Sequence, residues 1–334
     1  MAVDSISTTA ALDRTPLTVA IAAKRLRGIR IMAWITVIGP MVGTAAALWL
    51  AWINGVTLAT LVIFAITYAL TTLGVTVGFH RYFAHHSFQT SRVMRAIFIV
   101  LGSTALQGTM LYWVSTHRRH HQFSDTAGDP HSPRLHDGTW RGRWTAFWHS
   151  HTGWLFSQEV SNPARFALDL IRDPSTFRAQ QRYLIWAVIG LALPAVAGGL
   201  IEGSVYGALE AFLWAGPVRL VIVHNASWGV GSVSHLYGAR PFVTRDHSAN
   251  NLWVALFAFG EGLQNNHHAF PQAAYHSYHW WEPDVSSYAV AALAASGLIW
   301  DLHRPSPQAI AAKRRGTGFE RAQPKKMEQQ EKSA

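Results

Sequence analysis

The chain has 334 residues, 28 Lys and Arg against 18 Asp and Glu for a formal charge of +10, 18 His, 15 Trp and no Cys. Only 14% of its residues are charged and 49% are hydrophobic, short of the ~25% charged residues of an ordinary soluble domain. The missing thiols exclude disulfides, zinc ribbons, iron–sulfur clusters and cysteine nucleophiles, and the apolar content excludes disorder for most of the chain. What remains is a membrane-embedded chain, rich in imidazole, in which any metal must be held by nitrogen and oxygen.

Residues 1–30 read as an N-terminal segment ending in the basic Lys24, Arg25, Arg27 and Arg30. The uncharged block 31–53 is long enough for a hydrocarbon core of ~30 Å, which takes about 20 helical residues. It is too long for the apolar part of a secretory leader, and no convincing cleavage site precedes the next span. Asn54-Gly55 marks a turn, and a second apolar block covers 56–78, so the two predict an antiparallel hairpin.

His80 and His85 follow. Five residues subtend about 140° on a regular helix, so this pair is expected to straddle a helix end rather than chelate from one face. The apolar stretch 94–114 lies between histidine clusters that belong on one side of the membrane, and reads as an interfacial or re-entrant helix. His117, His120 and His121 then share a helix face. A second hairpin covers 183–201 and 206–224, the latter interrupted by Glu210 and Arg219. His235 stands alone, the stretch 252–259 is too short to span, and Gln264, His267 and His268 again share a face. A basic tail, 304–334, closes the chain; residues 1 to about 20 and about 313–334 are expected to be mobile.

The expected fold is all-α integral membrane, four transmembrane helices in two hairpins with a helical cap within one domain, 31–303. Basic residues gather before the first span, after the second and in the tail, and both hairpin tips lack them. Both termini, the cap and the site are therefore expected to be cytoplasmic. Seven or eight clustered nitrogens exceed the needs of one ion, which points to two metals. Imidazole suits Zn, Cu, Fe and Ni alike, but attack on the C–H bonds of a membrane-borne acyl chain needs a redox metal such as iron. The other ten histidines, among them His131 and His276, read as structural or supporting residues.

These features resemble the membrane-bound acyl-CoA (stearoyl-CoA-type, Δ9) fatty acid desaturases over roughly residues 55–303. The resemblance rests on Gly74-Val75-Thr76-Val77-Gly78-Phe79-His80-Arg81 with His85, and on His117-Arg118-Arg119-His120-His121-Gln122-Phe123-Ser124. It continues through Asp129-Pro130-His131, His149-Ser150-His151-Thr152-Gly153-Trp154, His235-Leu236-Tyr237-Gly238, Gly260-Glu261-Gly262 and Asn266-His267-His268-Ala269-Phe270-Pro271. It implies a di-iron enzyme (Fe2+/Fe3+) that uses O2 and two external electrons to form a cis double bond. One iron would be held by His80, His85, His121 and His268, the other by His117, His120, His235 and His267. Gln107, Trp113 and Ser227 would line the bend of an acyl tunnel, with Tyr68 near its far end.

Two positions depart from the pattern. Gln264 replaces a histidine, leaving a weak ligand or none, and Gly231 replaces an Asn that the family is thought to use to hold a metal-bound water. No cytochrome, flavin or nicotinamide motif is present, so electrons are expected from a separate ferredoxin or cytochrome b5 with its reductase. The expected partners are thus an acyl-CoA or other acyl ester, O2, this donor and the lipid bilayer, with no nucleic acid. A hydroxylase or oxidative decarboxylase on the same scaffold stays open, as does a non-catalytic membrane metal-binding or transport protein.

Overall fold

The computed structural model describes residues 15–157 and 159–314. Four helices are long and apolar enough to cross a membrane: Leu26–Asn54, Leu58–Ala84, Tyr183–Glu202 and Val205–His235. Their outward side chains stay uncovered, with Leu200 79% and Val205 88% exposed, as expected of surface that faces lipid rather than water.

Helix α1 (Ala23–Asn54) begins earlier than its apolar block, so Arg27 and Arg30 ride on its first turns. Gly55, with φ +77°, ends it. Helix α2 (Leu58–Leu73) is capped by the Thr57 hydroxyl and runs directly into a π-helical segment, Gly74–Ala84. The second span therefore extends beyond residue 78, to Ala84, so that His80 lies within its last turns and His85 just past its end. After the short strand β1 (Gln89–Thr90) come α3 (Arg92–Ser103) and α4 (Met110–Phe123). The break between them, with Leu106 at φ 54° and Gly108 at φ 94°, splits the ambiguous 94–114 stretch into two helices.

Helix α5 (Trp140–His151) and three short helices, α6 (Pro163–Phe166), α7 (Leu168–Arg172) and α8 (Pro174–Gln181), lead to the second hairpin. Its arms are α9 (Tyr183–Glu202) and α10 (Val205–Leu213), the latter continuing through a π-helical turn at Trp214–Val218 into α11 (Arg219–Ser232). The two groups that interrupted this span in sequence are hydrogen-bonded inside the protein. The Glu210 carboxylate accepts from the Thr57 and Thr60 hydroxyls at 2.9 and 2.7 Å. Arg219 donates to the Thr71 hydroxyl and to Gly190 O. Intramembrane charges survive when protein groups replace water in this way.

The cap is completed by α12 (Leu252–Phe257), α13 (Gln264–Ala269), α14 (Val285–Ala295), β2 (Ile299–Trp300) and α15 (Pro307–Lys313). The β1–β2 ribbon pairs Gln89 with Trp300 and Thr90 with Ile299, a small exception to an otherwise helical fold. A core containing Phe79, Phe83, Phe88, Phe98, Met110 and Val114 joins the π-helical segment to α3 and α4. Most of the stretches expected to be mobile lie outside the described residues. Within them, residues 15–20 are pinned, since Val19 N donates to Val160 O at 3.0 Å and Asn162 N to Leu17 O at 2.9 Å.

Candidate metal centre

Three elements deliver the first imidazole cluster. In the π-helical segment His85 N donates to His80 O at 3.1 Å, an i→i+5 bond that winds a wider turn than the α-helix. Residues five apart then stack, and the His80 and His85 rings lie 4.8 Å apart. The 140° separation expected on a regular helix is thus cancelled by a change of helix type, while His85 itself caps the segment's end. Arg118 on α4 secures that end through Phe83 O at 2.7 Å, Ala84 O at 2.9 Å and Asp169 at 2.7 Å.

Ligand nitrogens of His80, His85, His117, His121 and His267 lie within 4.8 Å of one another, and those of His120, His235 and His268 form a second set. All eight proposed ligands are thus brought together, but in a different division from the one the resemblance implies. His117 stands one turn before His121 on α4 and joins its cluster, while the adjacent His267 and His268 project to opposite sets. Within the first set Nε2 atoms approach at 2.7 Å (His85–His117), 2.9 Å (His121–His267) and 3.0 Å (His80–His267). Burial above all, and for His85 the nearby Arg118, hold His85, His117, His121 and His267 well below the usual imidazole range, since charging one ring is further disfavoured beside others that could also charge. They are neutral at physiological pH, the state a metal requires of its ligands.

A carboxylate backs several of these rings. His120 Nδ1 lies 3.0 Å from Asp129 and His235 Nδ1 lies 3.0 Å from Asp125; His268 Nδ1 meets Asp246 and His80 Nδ1 meets Glu261. A carboxylate on Nδ1 fixes the tautomer and leaves Nε2 to face a metal. Consistent with that, the Nε2 atoms of His120 and His235 are buried without a hydrogen-bond partner, so the residues fit a bound cation. Sequence reasoning missed all four acids, although Asp129 and Glu261 sit in quoted motifs. It also set aside His276, whose buried ring groups with His80 and Glu261.

Gln264 places its amide nitrogen 2.9 Å from His268 Nε2 and leaves its carbonyl oxygen buried and unpaired. An amide's two ends exchange by rotation, so that oxygen is available as a weak ligand. Trp113 Nε1 donates to Gln107 Oε1 at 3.1 Å, and Gln107 Nε2 to Ser227 Oγ at 2.9 Å, so the three residues form one polar chain. They line a cavity of about 1060 Å³ that reaches from Val19 and Met32 to His80, His117 and His120. Tyr68 lies one layer out: it is not among the lining residues, its hydroxyl donates to Phe257 O at 2.5 Å, and its ring packs on Phe259.

Four spans and a buried, carboxylate-backed double cluster of imidazoles define an integral-membrane protein with a histidine-rich site that could hold metal. The fatty acid desaturase family matches residues 47–295. The chain belongs to that family and is an enzyme. It is 41% identical over 278 residues, 82% of this chain and 86% of the relative, to the hex-5-enoyl-[acyl-carrier protein] acetylenase of Moorena producens. It is 38% identical, over 70% of this chain, to the chloroplastic palmitoyl-monogalactosyldiacylglycerol delta-7 desaturase of Arabidopsis thaliana, of which it spans 59%. It is 35% identical to an acyl-CoA C20 Delta5-desaturase of Anemone leveillei, over 73% of this chain and 74% of the relative.

Proposed function

We propose that the protein introduces a cis double bond into a saturated fatty acyl chain, at about carbon 9 of an acyl-CoA, using O2 and electrons from a ferredoxin or cytochrome b5 type donor. The supporting observation is the continuity of the cavity, which passes the Trp113–Gln107–Ser227 chain and ends against the histidines. Two iron ions held by His80, His85, His117, His120, His121, His235, His267 and His268, with Gln264 at the margin, would supply the O2-dependent oxidation when bound. The reaction balances as one O2, two electrons and two protons consumed with two chain hydrogens, yielding two waters and the alkene.

The protein's own part is positioning. The apolar walls exclude water, and the three hydrogen-bonded side chains fix where the chain turns toward the histidines. Tyr68 acts through Phe257, closing the wall from behind. The sided distribution of Lys and Arg orients the site and both termini to the cytoplasm, where a donor protein docks.

Expression in a desaturase-deficient host, followed by gas chromatography of CoA, lipid and carrier-protein esters with double-bond location, tests the reading. A new monoenoic acyl-CoA is expected; a hydroxylated or chain-shortened product would overturn it. A second reading, acetylenic bond formation on a carrier-protein ester, is favoured by the name of the 41% identical relative and predicts an alkyne in the carrier-protein fraction.

A further inference from the structure

The cavity that reaches the histidines is walled unevenly. On the side of the cap, residues 15–22 form a strap held by backbone bonds. Thr18 pairs antiparallel with Ser161, Val19 N donates to Val160 O at 3.0 Å, and the Asn162 side-chain amide donates to Pro16 O at 3.1 Å. Val19, Ala22, Val160 and Ser161 all line the cavity, so the strap lies across it.

On the side of the spans the wall reaches the outer surface. Met32 on α1 and Leu184 on α9 line the same cavity, yet they are 50% and 65% exposed. Each stands near the start of its span, Leu26–Asn54 or Tyr183–Glu202, beside exposed apolar neighbours such as Ile31, Ile185 and Val188. The two helices rest on different supports, α1 on α10 and α11, α9 on α2, α3 and α10. No extended packing joins α1 to α9 among the described residues, which leaves a seam between their starts. Tyr183 ties the seam to the interior, because its hydroxyl accepts from Gly108 N at 3.3 Å. Tyr183, Gly108 and the adjacent Gln107 line the cavity, so the wall continues from the seam to the Trp113–Gln107–Ser227 chain.

We propose that the acyl chain enters sideways from the bilayer, between Met32 and Leu184, while the strap keeps the cap side closed. The occupant is one long acyl chain of a membrane-resident ester whose headgroup stays at the interface. A chain moving this way exchanges lipid for apolar wall and avoids the cost of exposure to water. This rests on the acyl-substrate reading above and adds its route.

Because the chain has no Cys, a single introduced thiol can be blocked selectively. The full chain is placed in lipid nanodiscs as Met32→Cys or Leu184→Cys, with and without alkylation by a bulky maleimide. The probes are stearoyl-CoA and a stearoyl phospholipid, each carrying a diazirine on the chain, and the readout is photolabelling of residues 107–113 by mass spectrometry. Labelling before alkylation reports that a variant is folded, and either variant suffices. Alkylation is expected to abolish labelling by whichever ester labels the untreated protein, which also tells a lipid from a CoA source. Leu200→Cys, exposed on the same helix as Leu184 but away from the cavity, is the control and should label as before once alkylated. Undiminished labelling after alkylation at both positions overturns the route. So does a block produced only by alkylating Phe257→Cys, an exposed wall residue on α12. Wild-type protein labelled by neither ester would instead sink the acyl-substrate reading itself, so the two failures are distinguishable.

Discussion

At His120 the imidazole is gripped from behind by Asp129 and offers a bare, buried Nε2 in front. Such outer partners are worth about 10–100-fold in metal affinity, so Asp129→Asn is expected to lower iron or Co2+ binding by that factor. Metal titration followed by mass spectrometry checks it; unchanged affinity would remove Asp129 from the site. Gln107 is expected to act on product position rather than metal content. Gln107→Ala breaks its bonds to Trp113 and Ser227, and a wider spread of double-bond positions in the product, with full metal occupancy, is the expected chromatographic result. The histidines were legible in the sequence because helical spacing places His117, His120 and His121 on one face. Asp125, Asp129 and Asp246 were not, because they come from connecting segments whose approach to the helices leaves no periodic trace.

At the scale of elements, the π-helical segment is what sequence arithmetic failed to find. Nothing in the composition of Gly74–Ala84 distinguishes i→i+5 from i→i+4 bonding, yet that difference decides whether His80 and His85 converge. Its packing supplies a partial signal. A Cβ on Gly74 would come within 2.4 Å of Gly102 N and the Leu101 carbonyl carbon, backbone atoms of α3 that cannot swing away. Gly74→Ala is expected to cost about 1–3 kcal/mol as an overpacked contact, seen as a lower unfolding temperature in detergent. Helix α8 offers a gentler case. Asp173 caps it through Ser175 and Thr176 and pairs with Arg95 at 2.6 Å. Partial burial alone would raise its carboxyl, but the Ser175 and Thr176 bonds hold it at about 2, so its contribution is present above the ordinary value near 4 and fades as pH falls toward about 2. Asp173→Ala should therefore lose about 0.5–2 kcal/mol near neutrality, and its unfolding midpoint should converge on the wild type's in acid. A deficit constant across that range would deny the cap its charge.

The molecule as a whole is two hairpins carrying a cap, an outline legible from apolar block lengths alone. What block lengths could not give was how far the second and fourth helices run on to bring His80 and His235 toward the centre. Because the natural chain has no Cys, single cysteines report its orientation cleanly. Glu202→Cys at a hairpin tip is expected to react with an impermeant maleimide in intact cells, and Gln308→Cys only after lysis; the reverse pattern would invert the proposed sidedness. The histidine pairs carry one more consequence. His120 and His121 are neighbours in the chain yet serve opposite clusters, and so are His267 and His268. Consecutive Cα atoms are separated by a fixed 3.80 Å across a trans peptide. Two covalent links thus join the backbones of the paired clusters, so bond lengths, and not the squeeze of lipid or neighbouring helices alone, limit how far the clusters can part. A bilayer that thins or tilts the spans therefore meets two histidine clusters whose backbones are already tied to each other by the chain.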